Sequence, residues 1–213
     1  MKASALFVLI VLIACTVSGA FASVPSASTS QTWTFATDAN PATPDPVNNP
    51  YGSPTALITV DENGTGYWDT MPDVYGSAQG FWDIGTGSIV LTIPNRPNAG
   101  PNSYKDITLW VKYWKDISDV PNVQVNPIAQ LIGFNTELLE AGPNGGAWWA
   151  DTWSFHIVPN PDNETITLTG NPMGSLIDEI RIDTVCVPEP GSLMALCSGL
   201  IGVVGLAARR KRA

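Results

Sequence analysis

Aromatic and charged residues alternate with apolar ones along residues 104–114. This period-two pattern predicts a β-strand whose core face carries Ile107, Leu109, Val111 and Tyr113. The other face would carry Tyr104, Trp110 and Trp114, with the two tryptophans about 13 Å apart. Sugar rings stack on such aromatic side chains while charged neighbours bind their hydroxyl groups. The strand is therefore a candidate glycan-binding platform, and we expect Trp148 and Trp149, after a Gly-rich segment, to form its aromatic lip.

The alternative for these rings is structural. Tryptophan is usually mostly buried in folded proteins, and long loops that folded over the outer face would cover the same side chains. The sequence leaves both interpretations open. The chain has eight tryptophans, all outside the two terminal segments.

Catalytic patterns are sparse in this sequence. The single histidine, His156, has no neighbouring serine or cysteine motif. Asp69, Asp83 and Asp151 each lie one or two residues after a tryptophan, and a pair of carboxylates could hydrolyse a glycosidic bond. Nothing in their spacing brings two of them together. We therefore predict no catalytic residue, with a secreted polysaccharide-active enzyme as the alternative.

The first 22 residues are typical of a cleavable signal peptide. Lys2 precedes an apolar run, and Ala20-Phe21-Ala22 places small residues at the −3 and −1 positions, so cleavage is expected before Ser23. The competing interpretation is a lipoprotein modified at Cys15, but the apolar run continues past that residue.

The other end predicts a single transmembrane helix. Residues 192–208 are uncharged and, as a helix, would span about 25 Å, and the basic cluster Arg209, Arg210, Lys211 and Arg212 would stay in the cytoplasm. Pro188-Glu189-Pro190 precedes the apolar run. These three parts in this order resemble the PEP-CTERM sorting signal, which we assign to residues 187–213. The resemblance implies recognition by an exosortase-type enzyme, then transfer to the cell surface or an extracellular polysaccharide matrix.

The remaining domain, residues 23–186, is strongly acidic. It holds five Lys or Arg against 18 Asp or Glu, a net charge of −13. Such a surface repels phosphates, so we expect no nucleic-acid partner. Cys186 is its only cysteine, which excludes a disulfide within the domain.

Short alternating segments separated by Gly- and Pro-rich loops predict an all-β fold. Residues 89–93, 153–157 and 165–169 each place apolar side chains on one face, which suits antiparallel sheets with one buried side. Residues 31–36 and 55–60 are further candidates, and residues 40–54, 93–103 and 141–147 are predicted loops. Eight to ten such strands would form an antiparallel, jelly-roll-like β-sandwich.

The last predicted strand, residues 176–183, places Asp178 in phase with Leu176, Ile180 and Ile182. A carboxylate facing the core must find donors or a cation. The segment LIDEIRID resembles the final strand of galactose-binding-like and carbohydrate-binding jelly rolls, some of which hold a structural calcium near that strand. The expectations are backbone or threonine donors for Asp178 or, as the alternative that the resemblance implies, Ca²⁺.

Together these patterns predict an exported bacterial protein, processed by signal peptidase and an exosortase-type enzyme. Its noncatalytic β-sandwich would be structural or would bind exopolysaccharide. The C-terminal helix would anchor it in the membrane before its release to the surface or matrix.

Overall fold

Residues 27–76, 78–97, 103–142 and 145–187 are described by the structure, a computed structural model. The predicted signal peptide and C-terminal transmembrane helix lie outside these ranges. In the described part of the chain, no helix is long and apolar enough to span a bilayer.

Twelve strands and one short helix make up the described chain. In order they are β1 (Ala27–Trp33), β2 (Val47–Asn48), β3 (Thr55–Thr59), β4 (Gly66–Thr70), α1 (Pro72–Tyr75), β5 (Gln79–Asp83), β6 (Ser88–Pro94), β7 (Tyr104–Lys115), β8 (Asn122–Asn126), β9 (Gln130–Ala141), β10 (Ala147–Ile157), β11 (Asn163–Thr169) and β12 (Leu176–Val187).

Two antiparallel sheets form the predicted sandwich. The larger sheet has the order β2-β1-β12-β7-β10-β9, and β5 adds to β12 and pairs with β4. The smaller sheet has the order β3-β6-β11-β8. The all-β, jelly-roll-like class predicted from the alternating segments is confirmed.

The main core lies between the two sheets. The alternating segments place their apolar faces there as predicted: Ile89, Leu91 and Ile93 of β6, Trp153, Phe155 and Ile157 of β10, and Ile166 and Leu168 of β11 are buried. The core face of β7 is also confirmed, since Ile107, Leu109, Val111 and Tyr113 are at most 2% exposed. We call the other side of the larger sheet, away from the smaller sheet, the outer face.

A bulge in β12 changes the predicted phase of the last strand. Leu176 pairs with Trp114 and Ile177 with Tyr113, but the next pair is Glu179 with Lys112. Asp178 is the extra residue, so the strand reverses its phase there. Ile177, Ile180 and Ile182 enter the main core, whereas Leu176 joins a second cluster on the outer face. The prediction that Leu176 shares a face with Ile180 was therefore wrong.

Candidate functional site

Trp110 lies near the middle of β7, on the outer face, and is partly exposed. Its cross-strand neighbours are Arg181 of β12 and Thr152 of β10. The Arg181 Cζ atom lies 4.3 Å from the centroid of the indole ring, which is a cation–π distance. On the other side, the indole Nε1 donates to Glu137 Oε1 of β9 at 3.4 Å. Trp110 is thus held between a cation and a carboxylate, across four neighbouring strands.

A second acid completes this group. Arg181 Nε donates to Glu179 Oε1 at 2.5 Å, and this hydrogen bond raises the pKa of Arg181. The Arg181 side chain is 52% exposed, and a guanidinium has four N–H donors besides Nε. We call Trp110, Thr152, Arg181, Glu137 and Glu179 the Trp110 platform. It combines an aromatic surface with hydrogen-bond donors and acceptors.

Farther along the same face lies a second group of ring side chains. The His156 ring is centred 4.9 Å from the Tyr104 ring, and His156 Nδ1 lies 2.7 Å from Asp106 Oδ1. Asp106 lies four residues before Trp110 on β7, so the two residues are about 13 Å apart along the strand. An open cleft of about 290 Å³ borders this group, lined by Ile128, Ala129, Gln130, His156 and Val158. The outer face therefore presents two polar, ring-bearing groups along one line.

The structure corrects the predicted position of Trp114 and Trp148. Both lie on the outer face of the larger sheet, but they are only 2% and 0% exposed. The reason is a covering layer formed by α1 and β5. Tyr75 packs edge-on against Trp114 at 5.2 Å, Phe81 packs against Trp148 at 6.0 Å, and Trp148 Nε1 donates to the Tyr75 carbonyl at 2.6 Å. Neither tryptophan can stack on a sugar.

The Gly-rich loop before β10 has a packing role. A Cβ atom on Gly146 would lie 2.3 Å from Cζ2 of Trp114, and one on Gly142 would lie 1.9 Å from Cη2. Only residues without a side chain fit against this ring. Trp148 and Trp149 were predicted to form an aromatic lip after this segment, but Gly142 and Gly146 pack against Trp114 instead.

Trp149 is partly exposed but lies on the opposite face from Trp110. It pairs with Tyr113 of β7, whose side chain faces the core side of the sheet. Its ring lies 5.9 Å from Lys115 Nζ. The structure therefore places Tyr104 and Trp110 on one open face, six residues apart along β7, and Trp149 on the other face.

Asp178, predicted to bind backbone or threonine donors or, alternatively, calcium, is ion-paired with Lys112. Asp178 is 6% exposed, and burial raises the pKa of its carboxyl while Lys112 lowers it. Lys112 Nζ also lies 5.0 Å from the Trp148 ring centroid. Among the residues that the structure describes, no three His, Cys, Asp or Glu are grouped to hold a metal. Calcium at Asp178 stays a prediction, and Lys112 supplies the opposite charge there.

Two of the three aspartates considered for an enzyme, Asp83 and Asp151, have structural partners. Asp83 Oδ2 accepts hydrogen bonds from the Thr65 amide at 3.1 Å and from its hydroxyl at 2.6 Å. Asp151, 2% exposed, accepts one from the Tyr113 hydroxyl at 3.3 Å, and burial raises its pKa. Asp151 thus faces away from the Trp110 platform, on the core side of the sheet.

Sequence reasoning missed the charged members of the platform. Glu179, Arg181 and Asp183 alternate with buried isoleucines, which is a signal for an outward face that was present in the sequence. Glu137 gave no such signal, because β9 is an edge strand exposed on both sides. Its pattern therefore has no apolar–polar alternation.

Comparison with known families identifies the last part of the chain. Residues 187–212 match the PEP-CTERM protein-sorting motif, so the resemblance found in the sequence is confirmed. The motif indicates an exported protein that an exosortase processes and that associates with the cell envelope.

Solved structures similar to the chain include several carbohydrate-binding modules. The CBM35 of Abf62 from Cellvibrio japonicus is 15% identical, covers 61% of this chain and 92% of its own, and has a TM-score of 0.32. Xyl-CBM35, solved in complex with a glucuronic acid-containing disaccharide, is also 15% identical. The match covers 60% of this chain and 91% of the Xyl-CBM35 chain, with a TM-score of 0.31.

A third similar structure is the C-terminal CBM6 of LamC from Zobellia galactanivorans, which is 13% identical. The match covers 60% of this chain and 98% of the CBM6 chain, with a TM-score of 0.25. No curated protein matches the chain significantly.

Proposed function

We propose that this protein is a noncatalytic glycan-binding protein of the bacterial envelope or extracellular matrix, which binds polysaccharide on the outer face of its larger sheet. The observation that carries the proposal is the Trp110 platform. A partly exposed indole ring lies among charged side chains on the outer face of the larger sheet, with its centroid 4.3 Å from a guanidinium carbon.

The chemistry of the platform suits a sugar. The C–H faces of a pyranose ring stack on an indole, and its hydroxyls accept from guanidinium and donate to carboxylate. Arg181, Glu137 and Glu179 supply these groups around Trp110. The Tyr104–His156–Asp106 group, about four residues along β7, is placed to contact further sugar units of an extended chain.

The sorting signal supplies the location. We propose that signal peptidase removes residues 1–22, that the C-terminal run anchors the protein in the membrane, and that exosortase cleavage near Pro188-Glu189-Pro190 releases the domain to the surface or matrix. Exopolysaccharide is the ligand that this location offers.

The test uses residues 23–187, which contain both sheets, and extracellular polysaccharide extracted from the native host. Affinity electrophoresis in gels that contain the polysaccharide would compare the unaltered domain with Trp110→Ala and Trp149→Ala. Trp149 is a matched control, because it is also partly exposed on the same sheet but on the opposite face.

We expect the polysaccharide to retard the unaltered domain and Trp149→Ala equally. Trp110→Ala should bind about tenfold or more weakly, as is typical of an aromatic residue at the centre of a binding site. Equal retardation of all three proteins would show that the polysaccharide binds elsewhere than at the Trp110 platform. No retardation of the unaltered domain would contradict glycan binding and favour a structural role.

A further inference from the structure

The described chain begins and ends at the same end of the sandwich. β1 and β12 are antiparallel neighbours, and Ala27 lies opposite Cys186. Val187, the last residue of β12, pairs with Tyr104, the first residue of β7. We call this end of the molecule the exit end. Its described loop residues are 49–54, 95–97, 103, 127–129 and 158–162.

Two aliphatic side chains protrude at the exit end. Ile128 is 93% exposed and Val158 is 59% exposed. Ile157 pairs with Lys105, and Lys105 pairs with Cys186. Val158 and Val187 therefore lie at the same height along their strands. β7 separates the two strands, so the two residues are about 10 Å apart across the sheet. Both aliphatic side chains border the same open cleft beside His156.

The charges of the molecule are unevenly distributed between its two ends. In the exit-end loops the sequence places one cation, Arg96, and one carboxylate, Asp162. At the opposite end, residues 60–65 and 116–121 contain four acids: Asp61, Glu62, Asp116 and Asp119. One of them, Asp119, is paired with Lys115 at the end of β7, which leaves a net charge of −3. Asp106, near the start of β7, adds one half-exposed carboxylate beside the exit-end cleft. An anionic lipid surface therefore repels the opposite end more strongly than the exit end.

The chain length between the domain and the apolar run is short. Four residues, 188–191, separate Val187 from Ser192, where the uncharged run begins. Five Cα-to-Cα steps span at most about 18 Å. The headgroup layer on one side of a bilayer takes up roughly 5–7 Å of that distance. With residues 192–208 in the membrane, the exit end cannot lie far from the lipid surface.

We propose that, before processing, the exit end lies on the lipid surface, with Ile128 and Val158 inserted among the headgroups. The occupant of this surface is the bilayer that holds the C-terminal run, so this inference rests on the proposed function. The strands of the larger sheet then stand away from the membrane. In this orientation the Trp110 platform is accessible from the side, and the residues after Val187 are held at the surface where an integral membrane enzyme acts.

The experiment uses the full chain reconstituted in vesicles of phosphatidylethanolamine and phosphatidylglycerol whose acyl chains carry bromine near the headgroups. Bromine quenches tryptophan fluorescence only at contact range. Ile128→Trp places a reporter at the exit end, and Ile117→Trp places one at the opposite end, where Ile117 is 76% exposed. The unaltered protein supplies the background signal of its eight native tryptophans.

We expect brominated lipid to quench most of the added fluorescence of Ile128→Trp and almost none of that of Ile117→Trp. Val158→Trp should behave like Ile128→Trp, so the result does not depend on one variant. Equal and weak quenching of all three would overturn the inference.

Flotation of the vesicles on a density gradient separates this inference from the function on which it rests. Protein that floats with the vesicles but shows no position-dependent quenching contradicts only the contact of the exit end with lipid. Protein that does not float contradicts the membrane anchor itself, and the inference with it.

Discussion

Trp110 and Arg181 are the two side chains on which the proposed binding face depends most. Their contact is short, with the guanidinium carbon 4.3 Å from the ring centroid. Lysine cannot reproduce this geometry, because its ammonium group is compact and strongly hydrated. The cross-strand pair therefore fixes both the orientation of the indole and the direction of the guanidinium donors.

Arg181→Lys should weaken polysaccharide binding about three- to tenfold without changing the fold. The charge remains, but the planar guanidinium with its fork of N–H donors is lost. Because Arg181 is half exposed, we expect its substitution to change the free energy of unfolding by no more than about 0.5 kcal/mol. Affinity electrophoresis and thermal unfolding measure the two quantities. Unchanged affinity would show that the guanidinium does not contact the ligand.

Asp61 makes the free energy of unfolding depend on pH, through hydrogen bonds that its carboxylate accepts. The Thr86 hydroxyl lowers the pKa of Asp61 below its ordinary value of 3.8, with help from the Asn63 and Thr86 amides at 3.1 Å. A folded-state pKa below the unfolded one means that the ionised form stabilises the fold. This contribution is fully present above the unfolded value and is lost as the pH falls through the folded value.

Asp61→Asn should therefore be less stable than the unaltered domain at pH 7, and the difference should shrink when the pH falls below 3.8. Urea unfolding of both proteins at pH 7 and at about pH 2.5 measures this. A stability difference that stays constant between the two pH values would contradict the role of the ionised carboxylate.

Single residues explain which parts of the site were predictable. Alternation identified the outer face of β7 and so found Trp110 and Tyr104. It could not separate Trp110 from Trp114, because both have the same phase. Their different exposure comes from α1 and β5, which cover Trp114 from distant positions in the chain.

At the scale of elements, a buried ion pair connects the two sheets near the exit end. Lys105 of β7 and Glu164 of β11 are both fully buried, with Nζ and Oε1 2.6 Å apart. Asn95 binds both side chains and donates to the Pro161 carbonyl at 3.0 Å. Burial lowers the pKa of Lys105 and raises that of Glu164. The pair therefore fixes the loops after β6 and β10.

Lys105→Met should destabilise the domain by about 3–5 kcal/mol, because it leaves the Glu164 carboxylate buried without its cation. The double variant Lys105→Met/Glu164→Leu should recover part of that loss, since neither charge is then buried alone. Urea unfolding at pH 7 gives the free energies. A single variant that costs less than about 1 kcal/mol would contradict this account of the pair.

Strands with one buried face were the predictable elements, namely β6, β7, β10 and β11. Two kinds of element were not predictable. β9 is exposed on both sides, so its twelve residues show no alternation. The bulge at Asp178 reverses the phase of β12, and only its pairing with β7 reveals it. Local sequence pattern reports burial, whereas register depends on the partner strand.

At the scale of the whole molecule, the proposed binding face, the chain ends and the acidic loops lie in different places on the sandwich. The outer face of the larger sheet carries the Trp110 platform, and both ends of the described chain lie at the exit end. The opposite end is acidic. Composition predicted the overall acidity, but the uneven distribution between the ends follows from which loops the topology brings together.

The central claim, that glycan binds at Trp110, is tested most directly by the indole N–H signals in an NMR spectrum of ¹⁵N-labelled residues 23–187. Comparison with Trp110→Ala and Trp149→Ala identifies the signals of those two residues. When oligosaccharides prepared from the host polysaccharide are added, the Trp110 signal should shift progressively and saturate, while the Trp149 signal stays in place. A saturating shift of Trp149 with Trp110 unchanged, or no shift of any indole signal, would contradict the claim.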